Sequence, residues 1–174
     1  MKKVFSVLAV AALFVIGFTS CDPTTEKTYA DYLTVDGGWV LASATSNPAY
    51  LLSDNTYVTD LMSEGYLYDY ELDDIITFNA NGSMSINPGA NINPDGGYQQ
   101  EVASVWSFEK DSTYISMQLP FFYDATGMTF DAEPESCKIL TLNENEMKLA
   151  FSFNDDENPA KGEYTFILTY KHAK

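Results

Sequence analysis

The 174-residue chain predicts an all-β protein, with about eight antiparallel strands in an up-and-down barrel and one short helix in a loop. Three observations point to it. Short segments of alternating apolar and polar residues recur along the sequence, as half-buried strands require. The links between those segments alternate between tight turns and long connections. Apolar residues make up 45% of the chain and aromatics 14%, enough for one real core and too much for wholesale disorder.

Residues 1–20 read as a signal peptide. Lys2 and Lys3 are followed by an apolar stretch at 4–18 that is too short for a comfortable membrane span. The ending Phe18-Thr19-Ser20-Cys21 resembles the lipobox of bacterial lipoproteins, with Phe18 where Leu is usual. That resemblance implies cleavage before Cys21, a lipid on its thiol and an acyl chain such as palmitate on the new amino terminus. Several chains at about 0.8 kcal/mol per buried methylene make a stable anchor. Residues 21–36, polar and Thr-rich with Pro23, read as the lipidated tether. The resemblance places the protein in a Gram-negative cell envelope, at the outer membrane. Asp22, directly after the anchor, bears on sorting without fixing which face.

The barrel is expected over 37–174. Gly37-Gly38 lets the chain turn in tightly so that Trp39 closes one end of the core. The one helix candidate is 56–64, with Asn55 or Thr56 as N-cap, Gly65 at its C-terminal end, and Val58, Leu61 and Met62 against the barrel. Strands at 75–78 and 84–86 flank Asn79-Ala80-Asn81-Gly82, a hairpin turn in which Gly82 takes positive φ. Strands at 102–109 and 114–119 flank Lys110-Asp111-Ser112, with Trp106 and Phe108 on one face and Ile115, Met117 and Leu119 on another that meets it. Strands at 137–142 and 147–153 flank residues 143–146. Met147, Leu149, Phe151 and Phe153 form the clearest buried stripe, and Tyr164, Phe166, Leu168 and Tyr170 repeat it in the last strand. In an up-and-down sheet alternate links emerge at opposite ends, so every long connection falls at one end, the natural mouth. Closure removes the exposed edges.

Gly37-Gly38-Trp39 on the first strand matches the Gly-x-Trp of lipocalins. Ile76-Thr77-Phe78 with Asn81-Gly82, then Trp106, then 139–142 with Met147-Lys148-Leu149, is similar to the lipocalin-like (calycin-type) domains of Gram-negative lipoproteins. The resemblance covers about residue 36 to the C-terminus and implies a ligand-binding barrel. Lipocalins also set an Arg near the end of the barrel against that Trp, and this chain has none.

Charge excludes some partners. Without residues 1–20 the chain has 7 Lys against 25 acids, a formal charge of −18. Nucleic acid is repelled, and there is no Arg to grip a phosphate. Cys137 reads as a buried small hydrophobe. A catalytic triad would have to recruit the single histidine, His172, from a frayed tail, and no His/Cys cluster suits zinc or a redox metal. A binding protein without cofactor is therefore expected, monomeric, and not an enzyme. The acidic groups Asp69, Glu71, Asp73 and Asp74, and 155–158, read as solvated loop acids, since neither has calcium-loop spacing. Asn93-Pro94-Asp95-Gly96 is only a fragment of such a loop.

The candidate site is the long-loop end, where Tyr50, Tyr57, Tyr66, Tyr68, Tyr70, Tyr98 and Phe130 join the run Phe121-Phe122-Tyr123. These rings either pack the loops onto the barrel or present a surface for a ligand. The expected ligand-binding set is Trp39, Trp106, Phe121, Phe122, Tyr123, Phe151 and Tyr164, taking a small apolar or glycan-like molecule. The alternative is a protein-interaction or inhibitor module that uses an acidic, aromatic loop face.

Overall fold

A computed structural model describes residues 26–52, 54–63, 66–91, 101–119, 134–154 and 162–173. It is a nearly closed antiparallel barrel with one short helix. The strands are β1 (Trp39–Leu51), β2 (Tyr57–Asp60), β3 (Ile75–Phe78), β4 (Ser83–Asn87), β5 (Val102–Val105), β6 (Ser107–Glu109), β7 (Tyr114–Met117), β8 (Glu135–Leu142), β9 (Glu146–Asn154) and β10 (Glu163–His172). Nine lie in the order β5-β4-β3-β1-β10-β9-β8-β7-β6, and β2 pairs with β1 beside that path.

The count departs from eight for two reasons. The strand expected at 102–109 is broken at Trp106 into β5 and β6, which are the two ends of the sheet. Trp106 therefore sits at the seam. Its backbone N–H donates to Gly82 O (2.9 Å) and its indole Nε1 to Asn79 O (3.0 Å), which ties the seam to the β3–β4 turn.

The second reason is a correction. Residues 57–60 are strand β2, not helix. Leu52 N–H donates to Thr56 O (2.8 Å), closing a hairpin in which Asn55 has φ +67, so Asn55 is a left-handed turn residue and not a helix cap. Val58 turns inward between exposed Tyr57 and Thr59, a period of two that suits this β-branched run once β1 offers an edge. Leu61 N–H then donates to Ala44 O (2.9 Å). Tertiary pairing overrides the local helix signal.

The helix lies instead at α1 (Tyr29–Leu33), within the stretch read as tether. Thr28 and Asp31 form a capping box: Thr28 Oγ1 accepts from Asp31 N–H (3.3 Å), and Asp31 Oδ2 accepts from Thr28 N–H (2.7 Å). Leu33 is fully buried, and its carbonyl accepts from Trp39 Nε1 at 3.0 Å. Lys27 pairs with Glu144 in the β8–β9 turn, and the ring of Tyr29 lies 6.5 Å from that of Phe108. The segment 27–33 thus closes the tight-turn end of the barrel.

Chain direction fixes the two ends. The turns at 79–82, 110–113 and 143–145 share the end closed by α1, and β1, β4, β7 and β9 all run away from it. Gly82 has φ +84, as the hairpin demands, while Lys110, Asp111 and Ser112 all take positive φ without being glycine. Gly38 has φ +75, and a Cβ there would stand 2.7 Å from Ile76 O, so only glycine lets β1 start this close to β3. His172 is not in a frayed tail: it pairs with Trp39 in register and meets its ring edge-on at 4.2 Å.

Both expected stripes point inward. Met147 and Leu149, with Tyr164, Phe166, Leu168 and Tyr170, are fully buried among Trp39, Ile76, Ile86, Ile115 and Met117. Cys137 is fully buried as well, and burial, with Glu135 and Glu109 nearby, pushes its thiol up to about 12. Atoms with no accessible surface line no opening that water can enter. The barrel axis is therefore filled at these levels.

Candidate functional site

At the long-loop end the inward stripes terminate in rings. Tyr50, near the end of β1, is their hub. Its centroid lies 5.0 Å from Tyr164, 5.1 Å from Tyr66, 5.5 Å from Phe166 and 6.2 Å from Phe153. Tyr66 and Phe153 each meet Phe166 edge-to-face, at 5.4 and 4.9 Å. Phe151 stacks on Phe153 at 5.3 Å. Edge-to-face packing sets the positive edge of one ring on the negative face of another, worth about 0.5–1.5 kcal/mol per pair beyond area burial.

The layer has a buried floor and a partly open top. Phe166 and Tyr164 have no exposure, while Tyr50, Tyr66 and Phe153 are half-buried. Strand alternation puts Tyr164, Phe166, Phe151 and Phe153 there. Tyr66 arrives by another route. Leu61 and Leu67 are buried against the barrel, and Leu67 N–H donates to Leu61 O (3.0 Å), which brings Tyr66 back beside Leu61. The hydroxyl of Tyr164 has no hydrogen-bond partner among the described residues.

Beside the layer, Tyr68 and Tyr70 stack nearly parallel at 5.2 Å, with Tyr68 60% exposed. Glu71 Oε2 accepts from Tyr68 N–H (2.7 Å), and Tyr68 O accepts from Glu71 N–H (2.9 Å). Asp73 Oδ2 accepts from Ala90 N–H (2.7 Å) and Asn91 N–H (3.0 Å), joining this segment to the one after β4.

No protein-family model matches this chain, and no curated protein does.

The acids near Tyr68 depart from the expectation of solvated loop carboxylates. Glu71 and Asp74 are buried, at 8% and 3% exposure; Asp74 continues the inward alternation of Ile76 and Phe78, and Glu71 is held by its two hydrogen bonds with Tyr68. Burial pushes Glu71 up to about 7, and the charge of Asp74 adds to that rise. The folded chain thus holds a proton that the unfolded chain releases near 4.5. Stability from this group is fully present below about pH 4.5 and is lost as pH rises to about 7. Allowing for residual solvent screening, the loss is about 1–2 kcal/mol. Glu71→Gln is expected to remove that slope, read from urea melts at pH 5 and pH 8; an unchanged slope would assign it to another group. Among the described residues no three His, Cys, Asp or Glu side chains are grouped to hold a metal ion.

The four expected ligand-binding residues that the structure describes do not come together at one end. Phe151 and Tyr164 belong to the ring layer. Trp39 and Trp106 stand at the other end, Trp39 beneath α1 and Trp106 against the β3–β4 turn. Trp39 pairs with His172, and Tyr164 lies earlier on the same strand, about 26 Å away at ~3.3 Å per residue. Cys21, Phe121, Phe122, Tyr123, Tyr98, Phe130, residues 155–158 and the Asn93–Gly96 fragment lie outside the described residues. The residues missed are Phe153 and Phe166. Their stripes were legible as core, but which end of a stripe meets the mouth depends on strand direction, and direction also places both tryptophans at the far end.

Proposed function

We propose that this chain is a lipid-anchored cell-envelope binding protein, lipocalin-like in form, held to the outer membrane through Cys21. It receives a small apolar or glycan-like ligand at its long-loop end. The observation that carries the reading is the ring layer, in which half-buried Tyr50, Tyr66 and Phe153 rest on fully buried Phe166 and Tyr164. Half-buried rings on a rigid floor offer flat apolar area at low entropic cost, and tyrosine adds a polar tip. The ligand lies on the layer and not along the barrel axis, which side chains occupy. His172 against Trp39 supports the lipocalin-like reading, because it stands where that resemblance would set an Arg. Binding without catalysis fits a histidine engaged in that contact and a cysteine thiol pushed up to about 12.

The second reading, a protein-interaction or inhibitor module, is favoured by the filled interior and by exposed Tyr57 and Tyr68 on an acid-rich end. Calorimetry against neutral oligosaccharides and a hydrophobic dye separates the two. Tyr66→Ala and Phe153→Ala are each expected to weaken binding about tenfold, equivalent to ~1.4 kcal/mol, with the fold retained by circular dichroism. Unchanged affinity in both variants removes the ring layer as the site. Association only with basic proteins, weakening steeply with salt, selects the second reading.

A further inference from the structure

The two ends of the barrel differ in charge and in where the anchor joins. The long connections, residues 52–74, 88–101, 118–134 and 155–162, hold fifteen of the 25 acidic residues and a single lysine, Lys161. Lys27, Lys110, Lys148 and Lys171 lie in the opposite half, at or next to α1 and the tight turns. Among the described residues the long connections hold seven acids and no lysine, so the end that carries the ring layer is the more negative. The end closed by α1 sets those four lysines against Asp31, Glu109, Asp111, Glu144 and Glu146, with Glu26 and Asp36 nearby, so it is negative as well but less so.

The chain also enters at that less negative end. Lys27 is fixed to Glu144, Tyr29 lies near Phe108, and Leu33 is buried beneath the barrel. Between Cys21 and Glu26 there are only five peptide units, a reach of at most about 17 Å. A strand as long as β9 spans ~30 Å.

We propose that the barrel stands on the bilayer through its tight-turn end, with α1 and the turns at 110–113 and 143–145 toward an anionic lipid surface and the long-loop end directed away. This rests on the lipid-anchor reading and adds an orientation to it. The short leash keeps the α1 end near the headgroups. Lipid phosphates repel the acid-rich end whenever the barrel tips within a Debye length, about 8 Å at physiological salt. Tipping toward the long-loop end is opposed more strongly than contact through the α1 end, so the upright pose follows. The ring layer is then offered to whatever approaches from the aqueous side and not to the membrane.

Single cysteines at the two ends of one strand test this. Asn145→Cys, at the tight turn, and Asn154→Cys, at the far end of β9, are both exposed positions. Cys137 is fully buried, with its thiol pushed up to about 12, so a maleimide fluorophore selects the introduced site. The full chain, processed and lipidated in bacterial membranes, is purified, labelled and reconstituted on vesicles of phosphatidylethanolamine and phosphatidylglycerol with a headgroup-linked energy acceptor. Transfer is expected to be at least about twofold stronger from position 145, given the ~30 Å between the sites. Equal transfer, or stronger transfer from 154, overturns the orientation while leaving the anchor intact. Failure of the protein to float with vesicles at all overturns the anchor reading, and the orientation with it. Circular dichroism confirms that both variants fold.

Discussion

Trp39→Ala is expected to lower the free energy of unfolding by about 3–5 kcal/mol, the cost of emptying a fully buried indole site. The indole has no exposure, and its loss leaves a void at the closed end that α1 and β10 fill only in part. A second contribution comes from hydrogen bonding. Leu33 O, itself on a buried residue, loses its Nε1 donor, and an unsatisfied buried group costs about 1–3 kcal/mol unless water reaches it. The edge-on contact with His172 disappears too. Against a typical domain stability of about 5–15 kcal/mol this is a large fraction. Urea titration followed through the remaining Trp106 measures it, and hydrogen exchange at Tyr29–Leu33 should rise in parallel. A loss below about 1 kcal/mol would show that α1 is not seated on this residue.

Phe166→Ala is expected to cost a comparable 3–5 kcal/mol at the other end of the barrel. Its ring is fully buried and underlies Tyr50, Tyr66 and Phe153 at 5.5, 5.4 and 4.9 Å. Phe166→Leu retains most of the volume but not the ring faces, so its smaller loss, about 1–2 kcal/mol, isolates the aromatic part. Combining Phe166→Leu with Tyr66→Leu in a double-mutant cycle should give a coupling near 0.5–1.5 kcal/mol. Strict additivity would mean that the layer is only a set of independently buried rings. Coupling would mean that the half-buried rings are positioned by the floor, as a preformed binding surface requires.

The sequence made the architecture legible because a period of two survives any arrangement of strands. Met147, Leu149 and Phe151, then Tyr164, Phe166, Leu168 and Tyr170, face inward as their spacing demands. Gly82 and Gly38 were readable as well, since hairpin and entry turns ask for positive φ. Three features were not. Residues 56–64 carry caps and a helical spacing of apolar side chains, yet β1 has an edge there that only pairing satisfies. Thr28-x-x-Asp31 is a capping box inside a polar stretch whose composition reads as tether, and only Leu33 and Trp39 meeting in space reveals its purpose. Asp74 looks like any loop acid until the inward phase of β3 is extended back to it, and Glu71 until its carboxylate is seen to close onto Tyr68 N–H. For the site, the aromatic inventory was visible, but composition cannot say that both tryptophans belong to the end opposite Tyr50.

The pairing of β1 with β10 also has a kinetic side. Trp39 to Asn47 register against His172 to Thr165, so the first and last strands of the barrel are neighbours separated by most of the chain. Closing so long a loop delays the contact that completes the sheet, and all-β topologies of this kind fold in milliseconds to seconds. As the chain emerges from its amino terminus, β1 is made first, and this edge is completed last. Until β10 arrives, Val40 to Thr45 present unpaired backbone, an edge open to other chains. Assembly of this barrel is thus a wait for β10, and any hazard of mispairing is concentrated in that interval.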